Sequence, residues 1–295
     1  MQNWQFIPPQ DLDKLNFTGT VLHQIAQLVT MFGNSYLQHE ENDSHNNLGW
    51  DYSTNSLISH HHIIPDVYMS FNLDRFCLNI VTKNSQEHVL IEYNTIAQCI
   101  DKCRVLLDQA GFNGDDYRSI NHFEISSHPY GEDEVIKNPD QEILIIWSNL
   151  WSNSFDLFTR IQKVFSGASE VRIWPHHFDV GLLLPLDQDK NGNLKKSLGL
   201  GLAIEDSMIN EPYYYLSYWS SDDVVLNIPV KLECGGFMPL PDSWHGYAMP
   251  LSILTKETDV NNQEEKAINF FKEGIEIIVD ELNLSNIRVN GLDRI

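Results

Sequence analysis

The chain is predicted to be an α+β protein built as two helix–strands–helix halves with mainly antiparallel sheets. Three observations predict this. Apolar residues recur at helical spacing in four stretches, 21–32, 96–107, 147–165 and 267–282. Short runs rich in β-branched and aromatic residues cluster between the helices of each pair. Several of these runs are separated by only about four or five residues, too few for the crossover that a parallel pair needs, so the strands should form meanders. The order helix, strands, helix occurs twice and suggests an internal duplication. The expected organisation is an N-terminal arm over 1–18, a first α+β half over 19–113, a linker over 114–140 and a second half over 141–295 that packs on the first.

In the arm, Trp4, Phe6 and Ile7 are the residues able to dock on a core. The first helix carries Val21, Leu22, Ile25, Leu28, Val29 and Phe32 on one stripe; Thr18 or Thr20 caps it and Gly33 stops it. A polar loop over 38–47 leads into Leu48-Gly49-Trp50-Asp51. The triplet His60-His61-His62 makes a poor metal site, because consecutive residues on an extended segment point to alternating sides. Strands are expected over 67–73, 76–82 and 88–93. The next helix begins at a capping box of Thr95 and Gln98 and stops at Gly111. The turn-rich stretch 114–140 is long for a bare connection and should pack on the surface. In the second half, Trp147 to Phe165 marks a helix ended by Gly167, strands are expected over 171–174, 178–184, 198–204, 213–218 and 247–251, and Ala267 to Leu282 traces a long final helix. Gly274 lies inside that helix and weakens it by about 1 kcal/mol relative to Ala.

With 42% hydrophobic residues the chain suits a packed globular protein. The formal net charge is −22, and the acidity is spread over both halves rather than held in a tail. A field of that sign repels phosphate backbones and anionic lipid, so nucleic acid and membrane are not the expected partners. No apolar run reaches the roughly 20 residues that span a bilayer, and the N-terminus lacks the basic and apolar regions of a signal peptide, so a cytoplasmic location is expected. Cys77, Cys99, Cys103 and Cys234 are read as free thiols; Cys99 and Cys103 lie four apart on one helix, a poor spacing for a disulfide.

The candidate chemistry centres on Trp174-Pro175-His176-His177-Phe178-Asp179. If a strand resumes at Phe178, His177 and Asp179 share a face about 7 Å apart. That arrangement suits a histidine oriented by a carboxylate, or two ligands of one metal, but a strand end whose side chains satisfy backbone and a salt bridge is the plainer reading. Asp187-Gln-Asp-Lys-Asn-Gly192 resembles the start of a calcium loop, but position twelve is Leu198, and Asn191-Gly192 fits a hairpin turn better. Gly199 and Gly201 clear one face of a strand for a ring or a ligand. Glu211-Pro212-Tyr213 and Trp244-His245 complete the set, with no GxSxG, HExxH, P-loop or zinc-finger spacing present.

Taken together, His45-x-x-Leu48-Gly49-Trp50-Asp51, His128-Pro129, the 174–179 string, Gly199-x-Gly201, Glu211-Pro212-Tyr213 and Trp244-His245 resemble an uncharacterised bacterial family of hypothetical proteins, over roughly residues 20 to 255. Where that family commonly has Ser-Pro-Gly-Asp after the GxG stretch, this chain has Ala203-Ile204-Glu205-Asp206. Where the family's aromatic strand commonly ends in Pro-Trp-Pro, this chain has Tyr218-Trp219-Ser220. The resemblance brings no activity or cofactor; it implies that these motifs belong to one domain plan.

The resulting expectation is a polar-aromatic cleft. His45, Trp50, Asp51, His128, Trp174, His176, Tyr213 and Trp244 would bind a small polar or sugar-like ligand. An enzymatic alternative places a divalent metal on His177, Asp179 and His245, with Glu211 as general base for a hydrolase-type reaction. A third reading is a structural polar network without ligand.

Overall fold

The structure is a computed structural model and describes residues 3–63, 65–119, 123, 125, 129–131, 133–222, 226–238 and 244–284. The described residues form five α-helices and ten strands in two five-stranded antiparallel sheets, so the α+β expectation holds. No described helix is long and apolar enough to cross a membrane. All four cysteines are free, and burial raises the thiol pKa of Cys99 to about 11 and of Cys103 to about 12.

The chain divides into two compact units whose borders differ from those expected. Unit one holds Asp13–Ser148 with Arg172–Phe178; unit two holds Met1–Leu12, Asn149–Val171 and Asp179–Ile295. The described residues of 114–140, the stretch expected as a linker, fall within unit one. Its attachment is physical: Tyr117 and Ile136 are fully buried, the Tyr117 hydroxyl donates to the Leu28 carbonyl at 2.5 Å, and the Ile136 amide donates to the Asn94 carbonyl at 2.9 Å.

Unit one opens with α1 (Leu12–Tyr36), which runs past Gly33 instead of stopping there. A Cβ at Gly33 would lie 2.5 Å from the His45 carbonyl oxygen, so this glycine admits the returning loop against the helix. The sheet then runs in chain order through β1 (Gly49–Asp51), β2 (Ser56–Ile58), β3 (Val67–Asn72), β4 (Cys77–Thr82) and β5 (Gln86–Leu90). β1 and β2 are not expected from the sequence, since three residues carry little periodicity. Pairing of Leu57 with Phe71, Phe71 with Leu78, and Met69 with Ile80 puts these apolar residues on one buried face. α2 (Ile96–Gln109) packs against β4 and β5, starts at the expected Thr95–Gln98 capping box, and ends in a Schellman turn at Gly111. β6 (Arg172–Trp174) joins this unit through reciprocal backbone bonds between Leu48 and Ile173.

Unit two takes most of α3 (Gln141–Val164), then β7 (Asp179–Gln188), β8 (Leu194–Ala203), β9 (Tyr213–Ser220) and β10 (Gly246–Pro250), each pairing antiparallel with the next. A tight turn joins β7 to β8: Asp189 Oδ1 accepts the amides of Asn191 and Asn193, and Gly192 has φ +87°, so the Asp187–Gly192 string makes a hairpin. α4 (Leu251–Leu254) and α5 (Val260–Glu281) follow, the latter capped by Asp259. Gly274 is needed for packing, because a Cβ there would meet Leu216 Cδ2 at 2.5 Å.

Residues 3–12 are held to unit two by two amide side chains that act as strand mimics. Asn153 accepts from the Gln5 amide and donates to the Gln5 carbonyl, both at 2.8 Å. Fully buried Gln263 does the same for Ile7, at 2.9 and 2.7 Å. Trp4 and Ile7 are buried as expected, whereas Phe6 points to solvent. Gln263→Leu would strand one buried donor and one buried acceptor, and an unfolding titration should show a loss of about 2–4 kcal/mol, with faster amide exchange at Gln5 and Ile7.

Candidate functional site

The Trp174–Asp179 string is a turn, and its geometry corrects the strand expected from Phe178 onward. Phe178 has φ +54°, and its amide donates to the Trp174 carbonyl at 2.7 Å, so β7 starts only at Asp179 and the alternation linking His177 to Asp179 does not run through. α1 holds this turn. His23 Nε2 and Gln27 Nε2 both lie 2.8 Å from the Pro175 carbonyl, and the His23 ring stacks on Phe178 at 5.0 Å and 8°. That stack helps to hold a left-handed residue that lacks the freedom of glycine. Trp174 and His176 make an edge contact at 6.1 Å, His176 also meets Phe123, and His177 is exposed.

The other expected site residues separate by unit. Asp179, Glu211, Tyr213, Trp244 and His245 belong to unit two. Asp179 accepts a short hydrogen bond from the Tyr215 hydroxyl. The ring of Tyr215 crosses Gly201, where a Cβ would lie 2.3 Å from Cε1, so the GxG stretch clears its face for an aromatic ring of the same sheet. Burial and the adjacent Asp179 carboxylate both push the Tyr215 pKa well up. Tyr213 donates to Asp206 at 2.7 Å. Both oxygens of Glu211 are engaged by Ser252, the amide at 2.6 Å and the hydroxyl at 2.8 Å, which anchors the start of α4. The His245 side chain is exposed, its carbonyl accepts from the Tyr218 amide, and Trp244 is half-buried.

His45, Trp50, Asp51, Trp174, His176 and His177 belong to unit one. His128 lies outside the described residues. Trp50 pairs with Leu57 on the buried face of the sheet, and Asp51 faces the other way. That second face is mostly polar, with Ile58, Cys77 and Val81 as its apolar members. It forms a hollow of about 360 Å³ lined by Asp51, Ser56, Tyr68, Ser70, Asn79 and Gln86, with Arg75 at its border. Asn79 Nδ2 donates to Ser70 Oγ at 3.1 Å, and Asn72 Nδ2 donates to Ser56 Oγ at 3.2 Å. Burial opposes the charge on Asp51, but hydrogen bonds from Ser53 and Thr54 outweigh it and hold the carboxyl below its ordinary range. Burial raises the Tyr68 pKa, and the charges of Asp51 and Asp66 add to the rise.

A separate cluster lies in the loop after α1. Side-chain atoms of His39, Asp43 and His45 fall within 4.8 Å of one another and could hold a metal ion; it is the one such group of three among the described residues. In sequence, His39 and Asp43 do not stand out, because the loop over 38–47 reads as merely polar. The sequence signal is three potential ligands, two imidazoles and a carboxylate, within seven residues. Ser70 and Asn79 were legible only as the outward positions of strands whose inward positions are Met69, Phe71, Leu78 and Ile80.

No protein-family model, curated protein or solved structure matches the chain.

One further carboxyl stands out beside the Tyr213–Asp206 pair. Glu205 has an oxygen, Oε2, that is buried with no hydrogen-bond partner among the described residues. Burial lifts its pKa from 4.5 to about 7, and the charge of Asp206 adds to the rise. The folded state therefore keeps a proton that the unfolded chain releases above pH about 4.5, and stability from this group falls as pH rises toward 7. Thermal midpoints measured from pH 4.5 to 7.5 should show that decline, and Glu205→Gln should flatten it.

Proposed function

We propose that the protein binds a small polyhydroxylated molecule on the open face of the unit-one sheet. One observation carries the reading. Ser56, Ser70 and Asn79 are only 2%, 4% and 3% exposed, yet they line a hollow on the face opposite Leu57, Met69, Phe71, Leu78 and Ile80. Recessed hydroxyls and amides are costly to keep from water unless they are paired, and here each also retains capacity for a further hydrogen bond. Gln86 adds another amide, and the half-buried Tyr68 ring offers a flat apolar surface with a hydroxyl at its tip. This is the donor–acceptor density that a sugar or polyol requires. With Asp51, Asp74 and a single Arg75 lining the hollow, an anionic ligand is disfavoured.

This keeps the expected ligand class and keeps Asp51, but it places the ligand on a sheet face. The metal reading concerns a different part of the same unit, the loop after α1.

Thermal unfolding against a panel of monosaccharides, disaccharides and polyols tests the proposal. A ligand at a hundred times its dissociation constant stabilises the fold by about 2.7 kcal/mol, and the midpoint rises accordingly. Tyr68→Ala and Gln86→Ala should remove that rise while leaving the ligand-free midpoint close to the parent. Binding that survives both substitutions would place the ligand elsewhere.

A further inference from the structure

We propose that His39, Asp43 and His45 bind one divalent transition ion of the zinc type. Binding would clamp the loop after α1 in its observed conformation.

The geometry is the first support. His39 Nδ1 and His45 Nε2 are 3.4 Å apart, with ring centroids at 4.7 Å and planes at 71°. A tetrahedral ion with metal–nitrogen bonds of about 2.0–2.1 Å separates two ligand nitrogens by roughly 3.3–3.4 Å. A good hydrogen bond to a ring nitrogen would instead be near 3 Å. The two imidazoles therefore stand at the edge length of a coordination tetrahedron, and Asp43 places a carboxylate oxygen within 4.8 Å of both.

The scaffold is the second support. The loop is fixed from both sides before any ion arrives. The Leu37 amide closes the end of α1 on the Gly33 carbonyl, and the His45–Asn46 backbone lies in the space that Gly33 leaves open. Asn46 Nδ2 donates to Asn34 Oδ1 at 2.9 Å. Asp43 has φ +59°; its amide donates to the Glu40 carbonyl at 3.0 Å and its carbonyl accepts the Asn46 amide at 3.1 Å. This tight turn brings residues 39 and 45 together. His45 is buried, Asp43 is half-buried and His39 is exposed, so an ion has an approach from solvent and room for a water as fourth ligand.

The donor set fixes the class of ion. Two imidazole nitrogens and one carboxylate favour zinc and its first-row neighbours over calcium or magnesium, which take oxygen ligands. Coordination through His45 Nε2 puts the ring proton on Nδ1. The present contact from the Glu40 amide to Nδ1, a long one at 3.3 Å, is then given up. Among the described residues the His60–His62 triplet offers no comparable set; His61 meets Asp66 at 3.4 Å.

The test uses tag-free, full-length protein stripped with a chelator and titrated with Co²⁺ and then Zn²⁺. The expected result is one equivalent of Co²⁺ giving the intense visible absorption of a tetrahedral centre, discharged by Zn²⁺. His39→Ala lies on an exposed position and Asp43→Asn preserves shape, so both should fold as the parent by circular dichroism and bind at least about tenfold more weakly. His61→Ala should titrate as the parent does. Absence of tight uptake by the parent overturns the proposal. So do uptake unchanged in His39→Ala and Asp43→Asn, and loss of uptake in His61→Ala.

Discussion

Irregular backbone in this protein is held by side chains that reach it from regular elements. The constraint is general: a buried peptide group left without a partner costs about as much as a lost hydrogen bond. Here it recurs at several places among the described residues. Asn153 and Gln263 complete the peptide groups of residues 5 and 7, His23 and Gln27 share the Pro175 carbonyl, and Gln24 serves both the amide and the carbonyl of Tyr130. Glu211 performs the same task for the amide of Ser252. Several of the histidines, amides and acids that a chemist would pick as reactive are therefore occupied in holding the turns.

That division of labour explains what the sequence could and could not convey. Long periodic elements were legible: α2 with its capping box, and the body of β3, β4, β7 and β9. Endpoints were less so: Gly33 looks like a breaker until its neighbours are known, and Gly274 looks like a plain weakness inside its helix. Each sits inside a helix to let another segment approach, the His45 carbonyl in one case and Leu216 in the other. The WPHHFD string drew attention by its composition, yet Pro175 and Phe178 are its anchored members, held by His23 and Gln27 about 150 residues earlier, a partnership that no local pattern displays. Conversely, His39, Asp43 and His45 sit within one short loop. Their spacing was in plain view, but only the turn at Asp43 shows that the three side chains meet.

The two proposed sites share unit one and differ in what they ask of a ligand. The sheet face offers many weak, directional partners spread over a shallow hollow, which suits a molecule with several hydroxyls. The loop after α1 offers three strong donors around a point, which suits an ion. The formal charge of −22 acts on both by favouring cations and neutral molecules over anions.

The Tyr215 ring lying across Gly201 has a consequence for how β7, β8 and β9 stay aligned. Its hydroxyl reaches over the intervening strand to Asp179, so β9 is tied to a strand it does not pair with. A slip of β9 by one residue would turn the ring to the opposite side of the sheet. A slip by two toward Gly199 would still find a vacant surface there, but would carry the phenol away from its carboxylate. Only one alignment satisfies ring and acid together, and the sheet thereby carries its own registry mark.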